Sequence, residues 1–213
     1  MTPETAALMR SARSKKPVVG AVFGLNASAA YWISSNATRL EATSSARVGS
    51  IGVYSQRVSV ARMLEKDGVD IEIFSAGKYK AEGDPSTAIT DDERMARQAD
   101  VDESYANFIS DVSFGRGIAA SIIRAGFGQG RVVSAPEALR LRMIDSVSLV
   151  EDTVARTAAG AFPMPQSATA WANQVERAIF ELSLPSAEPT PTSAAMLRQQ
   201  IELERLEMEI ALL

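Results

Sequence analysis

The 213-residue chain contains no histidine and no cysteine. A Ser-His-Asp triad and a thiol nucleophile are therefore excluded within it, and so are zinc or iron sites built from His and Cys. Only carboxylate sites for hard ions remain. Lysine is scarce too: Lys15, Lys16, Lys66, Lys78 and Lys80 are the whole set. The other basic residues are arginines, which do not give up a proton to act as bases. No stretch approaches the roughly 20 apolar residues that span a bilayer, and the N-terminus has no signal-peptide core. A soluble, cytoplasmic protein is expected. A net charge of −4 without a sustained basic cluster gives no footprint for nucleic acid. Missing cysteine fits a reducing compartment without requiring one.

What the chain does have is ample core material, 46% hydrophobic residues, in a length suited to one domain with an appendage. The stretch of most chemical interest is Asn26-Ala27-Ser28-Ala29-Ala30-Tyr31-Trp32, where the apolar run Pro17 to Phe23 gives way to small residues able to start a helix. A strand ending in a tight turn would leave Ser28 at a helix N-terminus, where free N–H groups favour negative charge. A serine is a poor nucleophile until a base removes its proton. With histidine absent, that base is a lysine, a carboxylate or a group from another subunit.

Thr2-Pro3-Glu4 opens a helix predicted over 2–13. Val18 to Phe23 is continuously apolar and reads as a strand buried on both faces. Two glycines flank Ser50 in Val48-Gly49-Ser50-Ile51-Gly52-Val53, either as a packing device or as a substrate groove. Val58 to Glu65 has helical spacing, and Val69 to Phe74 alternates as a half-exposed strand does. That strand leads into a polar loop, Ser75 to Pro85, with two of the five lysines. Thr90 caps a long helix with Tyr105, Phe108, Ile109 and Val112 as its buried stripe. Shorter helices are predicted at 121–125, from Ala135 to Arg140 and from Leu149 to Thr157.

The composition shifts beyond Gly160. The expected division is a domain over 1–158, a linker with one amphipathic helix over 159–195, and a helix over 196–213. In that last segment Met196, Gln199, Leu203, Leu206, Ile210 and Leu213 repeat on a three-four spacing. It reads as an oligomerisation or assembly helix, or as one docked on its own domain.

In order along the chain, Lys16 to Val19, Ala27 to Ser34, Val48 to Val53, Ser75 to Ala81, and Ala138 through Asp145 resemble the signal peptide peptidase A family of serine proteases (peptidase family S49). The likeness is strongest to its shorter phage members, the prohead or capsid-maturation proteases, and covers roughly 16–150. It implies an α/β Clp-protease/crotonase-like spiral and a Ser–Lys dyad without histidine. The family's nucleophile maps onto Ser28, its general base onto Lys80, and its base-orienting serine onto Ser50. The Ala29 N–H maps onto one oxyanion donor. No cofactor and no metal are implied. The implied partners are a polypeptide substrate and other copies of the chain, since in this family the dyad can be completed between neighbouring subunits.

A free lysine, with a pKa near ~10.4, is charged at pH 7, so the mechanism needs a buried Lys80 with no carboxylate partner. Lys80 as a solvated loop residue is the bland alternative. The resemblance also places a glycine pair, source of the second oxyanion donor, ahead of the segment matching 2–13, so an N-terminally truncated member is expected. Two local departures are Ala29-Ala30 in place of paired glycines and Arg142 in place of glycine. A non-catalytic assembly protein, and more weakly an acyl-CoA enzyme of the same superfold, are the competing expectations.

Overall fold

The computed structural model describes residues 1–162. Helix α1 (Thr2–Arg13) has the bounds the sequence predicts, with a proline in its first turn, Glu4 at its N-terminal end and Arg10 and Arg13 in its last turn, where the helix dipole favours each sign. Strand β1 (Val19–Val22) follows, and Gly24, at φ 86°, breaks the chain before β2 (Leu25–Ala27). The single doubly buried strand expected over Val18–Phe23 is therefore corrected. In β1 only Val22 is buried, and Phe23 beyond it is 83% exposed.

Helix α2 (Ala29–Ser34) then leads to β3 (Arg39–Ala42) and β4 (Arg47–Gly49). Helix α3 (Ala61–Lys66) starts three residues later than its periodicity suggests and buries none of its residues. The 26-residue α4 (Asp91–Arg116) is capped as predicted, the Thr90 hydroxyl accepting from the Glu93 N–H, and ends on Gly117 in the left-handed region. Next come α5 (Ala120–Gly126), a 3-10 turn at Gly128–Gly130, β5 (Val132–Ser134), α6 (Ala135–Arg140), β6 (Ser146–Val147) and α7 (Val150–Ala158).

The strands form two small sheets. One has the order β1-β3-β6 and is parallel throughout; the other has the order β2-β4-β5, with β2 and β4 parallel and β5 antiparallel to β4. Crossovers between parallel strands run through helices, because parallel neighbours cannot be joined by a tight turn. The arrangement is mixed α/β, the class that the resemblance implies.

Tyr31 and Trp32 of α2, Leu40, Val48, and Phe108, Ile109 and Val112 of α4 share one core with Phe127, Met143 and Ile144. Burying each such large side chain contributes about 1.5–3 kcal/mol. Trp32 stacks on Phe108 with ring centroids 4.4 Å apart and planes within 7°. Of the predicted α4 stripe, Tyr105 packs only partly against this core.

Val69–Phe74 is not a strand. Its alternation is real, but between Asp70 and Ala76 no backbone group has a backbone partner among the described residues, and Val69, Ile71, Ile73 and Phe74 are 47%, 52%, 41% and 90% exposed. A strand needs a neighbour for its N–H and C=O groups, and here it has none. Helix α7 ends at Ala158. The linker beyond 162 and the helix at 196–213 lie outside the described residues. Among the described residues, no helix is long and apolar enough to cross a membrane.

Candidate active site

Strands β2 and β4 run side by side with Ala27 opposite Gly49, so Ser28 and Ser50 leave the sheet together at the C-terminal ends of the two strands. Both serines have φ 55°, a left-handed conformation that is costly for a residue with a Cβ. Two backbone bonds hold them there: the Ser28 N–H donates to the Gly49 carbonyl at 2.8 Å, and the Ser50 N–H to the Arg131 carbonyl at 2.9 Å. At φ 55°, ψ −127° Ser28 turns the chain sharply from β2 into α2. Its own carbonyl accepts the first helical bond, from the Trp32 N–H at 2.9 Å.

Ser28 stands at the N-cap position of α2, yet its hydroxyl caps no helical N–H. The side chain is exposed, and neither its hydroxyl nor that of the half-buried Ser50 has a hydrogen-bond partner among the described residues. Ala29, also exposed, presents a first-turn N–H that has no intrahelical acceptor. A strained, exposed serine thus stands at a strand-to-helix turn with a first-turn backbone N–H beside it.

Gly49 explains half of the Gly-Ser-Ile-Gly run. Its φ is 130°, and a Cβ there would lie 2.7 Å from the Arg131 carbonyl oxygen. The run is thus at least a packing device. The groove expectation also has a basis, because just past Ser50 a cavity of about 400 Å³ opens between Ile51, Gly52 and Val53 on one side and Val101 and Tyr105 of α4 on the other. Arg124, whose guanidinium lies 5.1 Å from the Tyr105 ring centre, also lines it.

Lys80 sits differently. Its N–H closes a turn onto the Gly77 carbonyl at 3.1 Å, but the side chain is exposed and has no partner among the described residues. The burial that a lysine base requires is not supplied by the described residues, and among them no hydrogen bond joins Lys80 to Ser28 or Ser50. Lys78 donates to the Tyr79 hydroxyl at 2.7 Å and is ion-paired with Asp92 at 3.1 Å, and the first bond, followed by the second, pushes its ammonium up from its ordinary value. The carboxylate partner that would spoil a base thus belongs to Lys78 and not to Lys80.

Two groupings were not foreseen from the sequence. Asp111 of α4 accepts from the Trp32 indole at 2.6 Å and from Arg10 of α1 at 2.7 Å. Glu93 is the shared partner of Arg57 and Arg97, both at 2.8 Å. The bond to Arg97, followed by that to Arg57, holds the Glu93 carboxyl below its usual range despite burial. The Glu93–Arg97 pair has the i,i+4 spacing of a helix, but the long-range partners could not be read from local spacing, since Arg10 and Asp111 are 101 positions apart and Arg57 and Glu93 are 36 apart. Among the described residues, no cluster of three or more acids could hold a metal ion.

The fold and this turn define a class, that of α/β proteins presenting a serine at a strand–helix elbow. Within it the chain belongs to peptidase family S49, whose family model matches residues 10–162. It is similar to a protein of Methanocaldococcus jannaschii named provisionally as a protease, 32% identical over 140 residues, or 66% of this chain and 45% of that one. The capsid assembly protease C of Escherichia phage lambda is 29% identical over 151 residues, 71% of this chain and 34% of the relative. The head-tail preconnector protein GP5 of Enterobacteria phage P21 is 26% identical over 194 residues, 88% of this chain and 39% of the relative. This chain therefore matches about a third to a half of the length of these relatives.

Proposed function

We propose that the chain is a serine endopeptidase in which Ser28 is the nucleophile, Lys80 the general base, Ser50 the group that orients the lysine, and the Ala29 N–H an oxyanion donor. The observation that carries this reading is the Ser28 turn, at φ 55° and ψ −127°, with an exposed hydroxyl free of any capping bond. In the proposed reaction the neutral Nζ of Lys80 takes the Ser28 proton as Oγ bonds to the carbonyl carbon of a peptide. The Ala29 N–H donates to the developing oxyanion. The C–N bond breaks, the amine leaves with the proton from Lys80, and water, deprotonated by the same lysine, releases the acid from the acyl-enzyme.

Lys80 must be desolvated to do this, and the surface that covers it is taken to come from a neighbouring copy in a homo-oligomer. The substrate is read as a capsid or scaffold protein processed in the host cytoplasm or prohead, on the strength of the lambda and P21 relatives. The exposure of Lys80 also supports a second reading, a non-catalytic assembly protein of the same family.

Labelling with a fluorophosphonate, which phosphonylates activated serines, separates the two. The expected result is labelling of the wild type that disappears in Ser28→Ala and falls by several orders of magnitude in Lys80→Ala, with both variants folded and of unchanged oligomeric state. A folded wild type that is not labelled at Ser28 overturns the protease reading and leaves the assembly reading standing.

A further inference from the structure

Helix α2 has only six residues, too few to hold its own shape or direction in water. What fixes it is a closed circuit of side chains. The Trp32 indole N–H donates to Asp111 Oδ2 at 2.6 Å, and Asp111 Oδ1 accepts from Arg10 Nη1 at 2.7 Å. The same Arg10 nitrogen donates to Asn36 Oδ1 at 3.1 Å, and Asn36 Nδ2 donates back to the Trp32 carbonyl at 2.8 Å. The circuit thus begins and ends on Trp32, and it draws on α1, the turn after α2, and α4.

Trp32 is also the residue whose backbone N–H bonds the Ser28 carbonyl at 2.9 Å. Stacking on Phe108 sets the plane of the indole but leaves it free to slide or rotate within that plane. A charge-assisted bond to a carboxylate that is itself held by an arginine removes that freedom. The opposite side of α2 is tied by Tyr31, whose hydroxyl donates to the Met143 carbonyl at 3.0 Å.

We infer that Asp111 is a positioning residue of the serine site: through Trp32 it fixes the direction of α2, and with it the aim of the Ser28 hydroxyl and the Ala29 N–H. The inference rests on the reading of Ser28 as nucleophile. Asp111 touches neither Ser28 nor a substrate; it acts only by holding Trp32.

The test compares Asp111→Ala, Asp111→Asn and Trp32→Phe in the full chain. Asp111→Asn keeps an acceptor for the indole, and Trp32→Phe keeps an aromatic ring against Phe108, so these two guard against simple unfolding of Asp111→Ala. Fluorophosphonate kinetics are resolved into a binding constant and a maximal rate, normalised to folded protein. Hydrogen exchange of the amides of residues 29–36 is followed alongside. A group displaced by about 1 Å costs roughly 100-fold in rate. Asp111→Ala and Trp32→Phe are accordingly expected to lower the maximal rate about 10- to 100-fold with binding within about twofold. Asp111→Asn should restore most of that rate, and exchange at 29–36 should accelerate in the two damaging variants while that of 39–49 stays slow. Unchanged exchange at 29–36, or a maximal rate within about twofold of wild type per folded molecule, overturns the inference. Faster exchange in a protein whose wild type is never labelled supports the hold of Asp111 on α2 while overturning Ser28 as nucleophile, so the two failures are told apart.

Discussion

Residues 25–50 and residues 51–90 carry the two halves of the proposed dyad. In the first stretch, β2 and β4 pair along their length, the two serines are held at φ 55° by backbone bonds, and Tyr31, Trp32 and Val48 are buried. In the second, no backbone group from Ile51 to Ser59 or from Asp70 to Ala76 bonds to another backbone group among the described residues, and Tyr54 and Phe74 are 88% and 90% exposed. The second stretch is secured at its ends instead. Arg57 donates to Glu93, Asp84 and Thr87, Ser59 donates to the Thr87 carbonyl at 2.6 Å, and the Val60 N–H donates to the Pro85 carbonyl at 2.8 Å. The geometry of the serine is set inside the chain, whereas no packing among the described residues sets that of the lysine.

The strongest way to break this contrast is to strain a glycine in each stretch. Gly49→Val would place a Cβ 2.7 Å from a backbone oxygen at φ 130°, with no flexible side chain able to yield. A loss of about 3 kcal/mol or more in urea unfolding is expected. Gly68, at φ 70°, has nothing within 4 Å of its Cβ direction, so Gly68→Ala meets only the left-handed penalty of roughly 1 kcal/mol. Equal losses at the two sites would mean that the second stretch is as tightly built as the first.

Acid provides the next test. Burial by itself would raise the Asp145 carboxyl, but the bonds from Arg116, with the Leu40 N–H, outweigh it and hold the group below its ordinary value. Glu41 is likewise raised by burial and lowered further by Thr153 and Arg39. A carboxylate whose folded pKa is depressed contributes stability that is present above its unfolded value, about 3.9 for Asp and 4.3 for Glu, and is lost as pH falls through the folded value. The melting temperature should therefore be flat above about pH 5 and fall toward pH 3. Asp145→Asn should lower the plateau and flatten the fall. Asp84 is also depressed, by Ser86, but that pair is exposed and local to the second stretch. Asp84→Asn should leave the slope as it was.

The same contrast accounts for what the sequence discloses. Where structure is decided by neighbouring residues, it is legible: the bounds of α1, the Thr90 cap, and the Ala135-Pro136-Glu137 start of α6 all fall where predicted. The α/β class and the family follow from five short motifs in order. A strand, however, is decided by its partner, so the alternation of Val69–Phe74 misleads and the break at Gly24 goes unseen. Left-handed serines carry no local mark either, because nothing in Ala27-Ser28-Ala29 distinguishes φ 55° from an ordinary turn. The Arg10–Asp111, Trp32–Asp111 and Arg57–Glu93 bonds join residues far apart in the chain, which spacing cannot reveal.

The smallest expected effect bears most directly on whether the lysine stretch behaves as a separate unit. Thr90→Ala removes the 3.1 Å bond from the Glu93 N–H and should cost about 1 kcal/mol, with Thr90→Ser close to wild type. That cap lies one turn from the carboxylate that Arg57 and Arg97 share, so loosening the start of α4 loosens the anchor of the segment ahead of it. If the anchor is local, cleavage of residues 66–80 by a protease at low dose should speed up in Thr90→Ala, while exchange of the β2–β4 amides stays unchanged. Such a split is expected when a region opens on its own below the global free energy of unfolding. Parallel changes in both readouts would show instead that the segment opens only when the whole domain does, and the lysine would then be held as firmly as the serine.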